Sequence, residues 1–169
     1  MVESKNKKER IFTYFVFGIY LLFLCWLILF KFADSLAKIP SRRSINLIPF
    51  YFAQLSGSRF QKTDIIYNVI AFIPAGFFFT AFGKKKIISG ILFSAVLSLC
   101  FEVLQWIFAL GSSDITDLIM NTLGGVIGVV LYFVLGKLFK GREVLIVSIM
   151  GAILEGLLIG LLIILFVNN

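Results

Sequence analysis

Five long apolar runs divide the chain: Ile11 to Phe32, Ile65 to Phe82, Ile87 to Leu110, Ile115 to Phe139 and Val144 to Val167, each bounded by charged or turn-forming residues. A helix needs roughly 20 apolar residues to cross about 30 Å of hydrocarbon, so each run is long enough for one crossing. The pattern predicts an all-α, polytopic transmembrane helical bundle with five spans. Asp64, just before the second run, stands where an N-cap would, and Gly83 reads as that helix's stop. Gly111-Ser112-Ser113-Asp114 reads as a tight turn between helices three and four. The connection from Ala33 to Thr63 is about 30 residues, more than a minimal link requires. Within it Pro49, Phe50, Tyr51 and Phe52 suit an interfacial or re-entrant segment between helices one and two. The expected organisation is a tail over residues 1–10, a core of four helices over 11–139, and a turn with the fifth helix over 140–169.

Composition agrees with a lipid-solvated chain. Of 169 residues 60% are hydrophobic and 15% charged, with a mean hydropathy of +1.02, outside the range of ordinary soluble domains. The basic start, Lys5 to Arg10, precedes an apolar stretch too long for a signal-peptide core and lacking a small-x-small cleavage site, so a retained first helix is expected. The net charge of +7 does not indicate a nucleic-acid partner, because Lys and Arg fall between apolar runs and not along one soluble face. They read instead as topology signals. The N-terminal tail, Lys84-Lys85-Lys86, Lys137, Lys140 and Arg142 put ten basic residues on one side, against six on the other: Lys31, Lys38, Arg42, Arg43, Arg59 and Lys62. The N-terminus is therefore expected in the cytoplasm and the C-terminus outside, in a multi-pass cell-membrane protein. Cys25 and Cys100 lie inside apolar runs without CxxC or metal-type spacing and read as small packed side chains.

Polar residues inside spans are costly and normally face a protein interior or a wet cavity. In this orientation Asp64 sits at the outer end of helix two, with Asn68 one turn deeper. Glu102 and Gln105 lie about 12 Å and 7 Å below the outer end of helix three, three residues apart and pointing together. Asp114, Asp117 and Asn121 form one stripe at the start of helix four. Three helices thus deliver polar groups to one outer-leaflet layer, and Arg42 and Arg43 are the candidate counter-charges. The expectation is an acidic and amide-lined pocket, open outward and partly covered by the first loop. Interhelical hydrogen bonding and plain helix capping by Asp64 and Asp114 stand beside that reading. Gly124-x-x-x-Gly128 and Gly156-x-x-x-Gly160 would allow helices four and five to approach neighbours closely. Glu155, near the middle of helix five, reads as protonated, hydrogen-bonded or part of a proton path.

Four motifs follow one another: Arg43 with Asn46-Leu47 and Pro49-Phe50; Asp64 with Asn68, Phe72, Pro74 and Gly76; Glu102 with Gln105; and Asp114 with Asp117, Asn121 and Gly124. Over about residues 42 to 128 this order resembles the VanZ-like family of small bacterial membrane proteins, whose founding member is associated with reduced susceptibility to teicoplanin. Many relatives carry an Arg in the turn before the Asp-x-x-Asp motif, where this chain has Gly111-Ser112-Ser113. If that Arg normally pairs with the acidic cluster, the role passes here to Arg42, Arg43 or a bound cation.

Three functions fit. The first is a non-enzymatic surface factor, needing no cofactor and no metal, that binds a lipid-linked cell-wall intermediate or the lipoglycopeptide through Arg42, Arg43, Asn46, Asp64, Asn68, Glu102, Gln105, Asp114, Asp117 and Asn121, with membrane lipids as its other partners. The second is an intramembrane enzyme whose carboxylates hold Mg²⁺ or Mn²⁺, or act as acid and base on an envelope lipid. With no histidine in the chain, zinc-His and Ser-His mechanisms are excluded. The third is proton-linked transport through Glu155 and the acidic layer, for which five helices without detectable inverted repeats are few.

Overall fold

Side-chain chemistry sets where the helices begin and end. The computed structural model describes residues 7–30, 42–51, 59–83 and 86–167, and of residues 42, 59–62, 64 and 165–167 the backbone alone. The elements are α1 (Lys7–Phe30), β1 (Arg42–Asn46), α2 (Arg59–Phe82), α3 (Ile87–Ile107), β2 (Leu110–Asp114), α4 (Ile115–Phe139) and α5 (Glu143–Val167). All five helices contain a stretch long and apolar enough to cross a membrane, the shortest being Ile65–Phe82 with 18 residues, or about 27 Å of helix. The chain is a multi-pass, helical membrane protein, as its hydrophobic pattern predicts.

Two local expectations are corrected. α2 starts at Arg59 and not after Asp64, so Asp64 lies in the second turn and is not its N-cap. Arg, Gln and Lys favour helix as strongly as many apolar residues do, and the helix runs on past the hydrophobic boundary. Gly83 does end it, donating its N–H to Phe79 O at 2.8 Å.

The second correction concerns Gly111 to Asp114, which are strand and not turn. The chain reverses at Phe108 and Ala109, where Ala109 takes φ +55°, and the small residues after it extend alongside β1. β1 and β2 pair in parallel, with Arg43 opposite Gly111, Ser44 opposite Ser112 and Asn46 opposite Asp114. Parallel strands cannot be joined by a hairpin. Here α2 and α3 together form the crossover.

The chain divides into two compact units, Leu24–Phe133 and Met1–Phe23 with Val134–Asn169. In the first, helices touch through their backbones. A Cβ on Gly124 would strike Val69 O, one on Gly128 would strike Ile73 O, one on Gly76 would strike Gly125 O, and one on Gly90 would lie 2.6 Å from Gly76 O. The expected close approach at Gly124-x-x-x-Gly128 is thus present, between α4 and α2. Phe72, Ala75, Thr80 and Ser94 are fully buried around it, and the Phe72 and Phe101 rings meet edge to face at 6.3 Å.

In the second unit, Ser148 Oγ lies 2.7 Å from Val144 O and 3.1 Å from Thr13 Oγ1. With the Ser148 proton given to the carbonyl, Thr13 donates across from α1 to α5. Glu155 is buried two turns further along the same face of α5. Gly156 and Gly160, by contrast, have nothing within 4 Å of a Cβ, which corrects the expectation that they bring α5 against a neighbour. They fall on the face of α5 that carries exposed Leu157 and Ile164.

Candidate functional site

The polar groups of α2, α3 and α4 meet the β1/β2 ribbon where α3 ends and α4 begins. α3 carries a buried stripe at helical spacing, Ser94, Ser98, Glu102 and Gln105. Glu102 Oε2 accepts the Asp114 N–H at 2.8 Å, and the Ser113 hydroxyl donates to Glu102 O at 2.7 Å. One residue therefore ties β2 back onto the helix that precedes it.

Asp114 then caps α4. Its Oδ1 accepts the Thr116 N–H at 2.8 Å, the geometry of an N-cap at the positive end of the helix dipole. Thr116 Oγ1 in turn accepts the Phe50 N–H at 2.9 Å, which fastens the segment just after β1 to α4. Asn46 closes a local turn with Ile48, donating through Nδ2 at 3.2 Å and accepting through Oδ1 at 3.1 Å.

Deeper along the helices, Asn68 Nδ2 donates to Asp117 Oδ1 at 2.8 Å and links α2 to α4. Asn121, fully buried, donates to Ser98 Oγ at 2.9 Å and links α4 to α3. Gln105 Nε2 donates to Ile28 O at 2.9 Å, at the end of α1. Among the described residues, the buried oxygens without a hydrogen-bond partner include two amide oxygens of this layer, Gln105 Oε1 and Asn121 Oδ1, together with the Ser112 hydroxyl on β2. A buried acceptor left unsatisfied costs about 1–3 kcal/mol.

The structure therefore brings Asn46, Asn68, Glu102, Gln105, Asp114, Asp117 and Asn121 to one end of this unit. It separates Arg43 from their carboxylates: the Arg43 guanidinium donates to Ile107 O at 3.1 Å and lies 5.9 Å from the Trp106 ring centroid. This corrects its expected role as counter-charge to the acidic layer. Side chains alternate along a strand, and Arg43 shares a face with exposed Ile45 while Asn46 is buried on the other. The side chains of Arg42 and Asp64 lie outside the described residues. Among the described residues no group of three or more carboxylates or thiols is placed to hold a metal.

Ser98, Thr116 and Trp106 were not singled out by sequence reasoning. Ser98 carried a signal, its spacing of four before Glu102 on a helix otherwise apolar. Thr116 and Trp106 did not, since their partners are backbone and a residue more than 60 positions away.

Five helices able to span a membrane, with a parallel ribbon and a polar network at one end of the Leu24–Phe133 unit, define a polytopic helical membrane protein. The family model described as VanZ/LLP1 matches residues 17–136, which include all four motifs. Protein VanZ from Enterococcus faecium is 41% identical over 118 residues, covering 68% of this chain and 70% of that protein. No solved structure matches. The chain belongs to the VanZ/LLP1 family.

Proposed function

We propose that this protein contributes to protection against teicoplanin-type glycopeptides by binding a lipid-linked envelope component at its polar end, with the N-terminus cytoplasmic and the polar end facing outward. The observation that carries the reading is a pair of buried amide oxygens, Gln105 Oε1 and Asn121 Oδ1, left without donors beside two carboxylates, Glu102 and Asp117, that already hold the local structure. A network built only to join helices gains nothing from such acceptors. A ligand head group bearing hydroxyl or amide donors satisfies them. Family membership supports the resistance phenotype.

The test is growth inhibition by teicoplanin in a susceptible host expressing Glu102→Gln or Asp117→Asn at membrane levels matched to the parent. Glutamine at position 102 keeps an oxygen for the Asp114 N–H while removing the charge. Loss of protection is the expected result, and full protection by both variants overturns the assignment. Direct capture of teicoplanin by the purified protein, with no lipid bound, would make the antibiotic itself the ligand.

A further inference from the structure

An apolar groove runs between α3 and α4 beside the polar end. It is lined by Ala95, Val96 and Leu99 of α3 and Leu118, Ile119 and Thr122 of α4, and its volume is about 410 Å³, within the range of small-ligand sites, about 300–1,000 Å³. Its one polar lining group is already satisfied, because the Thr122 hydroxyl donates to Leu118 O at 2.7 Å. The helices touch at Gly125 and Ser94, where a Cβ on the glycine would meet the serine side chain. Towards the ribbon end, small Ala95 and short Thr122 leave room. The groove lies wholly within stretches that cross the membrane, so its occupant is hydrocarbon.

The groove leads somewhere. Val96, Leu99, Val103 and Trp106 are spaced three, four and three apart and are 50%, 51%, 47% and 45% exposed, so they form one stripe along α3 from the groove to the end of the helix. From Leu99 to Trp106 is about 10 Å at 1.5 Å per residue. At the far end stands the exposed Arg43 guanidinium, over the Trp106 ring and bonded to Ile107 O. That bond uses one of five N–H donors, and the rest are available in the fork geometry that fits phosphate oxygens. Ile45, Leu47, Ile48 and Phe108 are exposed on the ribbon end around it, as suits a membrane-water boundary.

We infer that Arg43, Trp106 and the α3/α4 groove form one site for an anionic, phosphate-headed lipid, with an acyl or prenyl chain in the groove and the phosphate on Arg43. The inference rests on the reading of this end as a lipid-binding end, and it names the ligand class: an amphiphile whose phosphate sits at the boundary. Among the described residues Arg43 has no carboxylate partner, which suits a partner that arrives with the lipid.

Trp106 is a built-in reporter. The chain has two tryptophans, so Trp26→Phe leaves Trp106 alone, and the full chain in phosphatidylcholine vesicles is titrated with phosphatidylglycerol brominated near the head of its acyl chains. Quenching is expected at several-fold lower mole fraction than with equally brominated phosphatidylcholine. Arg43→Gln, which removes the charge at an exposed strand position and keeps an N–H donor on the side chain, should bring the two lipids to equal potency. Ala95→Leu with Thr122→Leu, which fills the groove, should weaken quenching by both. Inorganic phosphate at millimolar concentration should not compete, and full competition would show a phosphate site without a chain site and overturn the inference. Equal potency of the two lipids in the parent protein, or an unchanged preference in Arg43→Gln, also overturns it. The two readings fail separately: lost lipid preference with teicoplanin protection still abolished by Glu102→Gln removes the lipid site and leaves the proposed function, whereas intact lipid preference with protection retained in Glu102→Gln and Asp117→Asn does the reverse.

Discussion

The glycines of α4 and α5 offer a matched pair of perturbations. Gly128 and Gly160 each close a Gly-x-x-x-Gly pattern in an apolar helix, and composition alone does not separate them. A methyl group at Gly128 would strike Ile73 O and lie 2.7 Å from Phe77 N, both backbone atoms of α2, whereas one at Gly160 meets nothing within 4 Å. Backbone atoms cannot rotate aside, so α4 and α2 must separate along a face that also buries Phe72 and Ala75. Overpacking of this kind typically costs about 1–3 kcal/mol. For a chain of this size that is about 2–4 °C in thermal midpoint per kcal/mol, so Gly128→Ala should melt about 2–12 °C lower. Gly160→Ala should be unchanged or slightly stabilised, alanine being about 1 kcal/mol the better helix former. Thermal midpoints of the purified protein in one detergent, followed by loss of the monodisperse peak, measure both. Equal midpoints for the two variants would refute the backbone-contact account of the α2/α4 interface.

Thr116→Val should destabilise by about 1–3 kcal/mol, because it leaves the Phe50 N–H without its acceptor; protease nicking between residues 42 and 59 should rise, and an unchanged cleavage rate would remove Thr116 as the clamp. Asp114→Ala, which deletes the α4 cap, should cost about 1 kcal/mol in the same thermal assay. A single cysteine placed after Asn169, in a background lacking Cys25 and Cys100, should react with an impermeant thiol reagent in intact cells; reaction only after lysis reverses the proposed orientation. Glu155→Gln should leave teicoplanin protection unchanged, since Glu155 belongs to the unit of α1 and α5 and the polar end is built from residues of the other unit, and loss of protection there alone would move the functional site to α5.

The helical fold was legible because lipid imposes a simple rule. Backbone groups in hydrocarbon must be satisfied within the segment, so length and hydropathy together define a span, and the five apolar runs became five helices. The ribbon was not legible for the opposite reason. β1 and β2 are five residues each, polar or small, and separated by two helices, so no local periodicity marks them as partners. Gly111-Ser112-Ser113 has the composition of a turn, and only pairing with Arg42 to Asn46 makes it a strand. Helix starts misled in the same way at Asp64, because residues 59–64 favour helix without being apolar.

Within the polar end, sequence spacing located the residues but not their partners. Glu102 and Gln105 do point together, as a separation of three requires, yet one holds β2 and the other the end of α1. The order of the four motifs follows from that division of labour. β1 cannot lie parallel to β2 until α2 and α3 have carried the chain across and back, and β2 cannot be held there without an acceptor on the last turns of α3. Glu102 is that acceptor, and Asp114, the last residue of β2, at once begins α4. The same backbone step thus sets the strand register, the helix start and the depth of Asp117 and Asn121, which follow Asp114 by three and seven residues. The carboxyl at position 102 is consequently coupled to the placement of every other polar group in the layer, including the two amide oxygens left open. Its isosteric amide separates the roles of Glu102: tethering β2 survives in glutamine, and recognition that depends on charge does not.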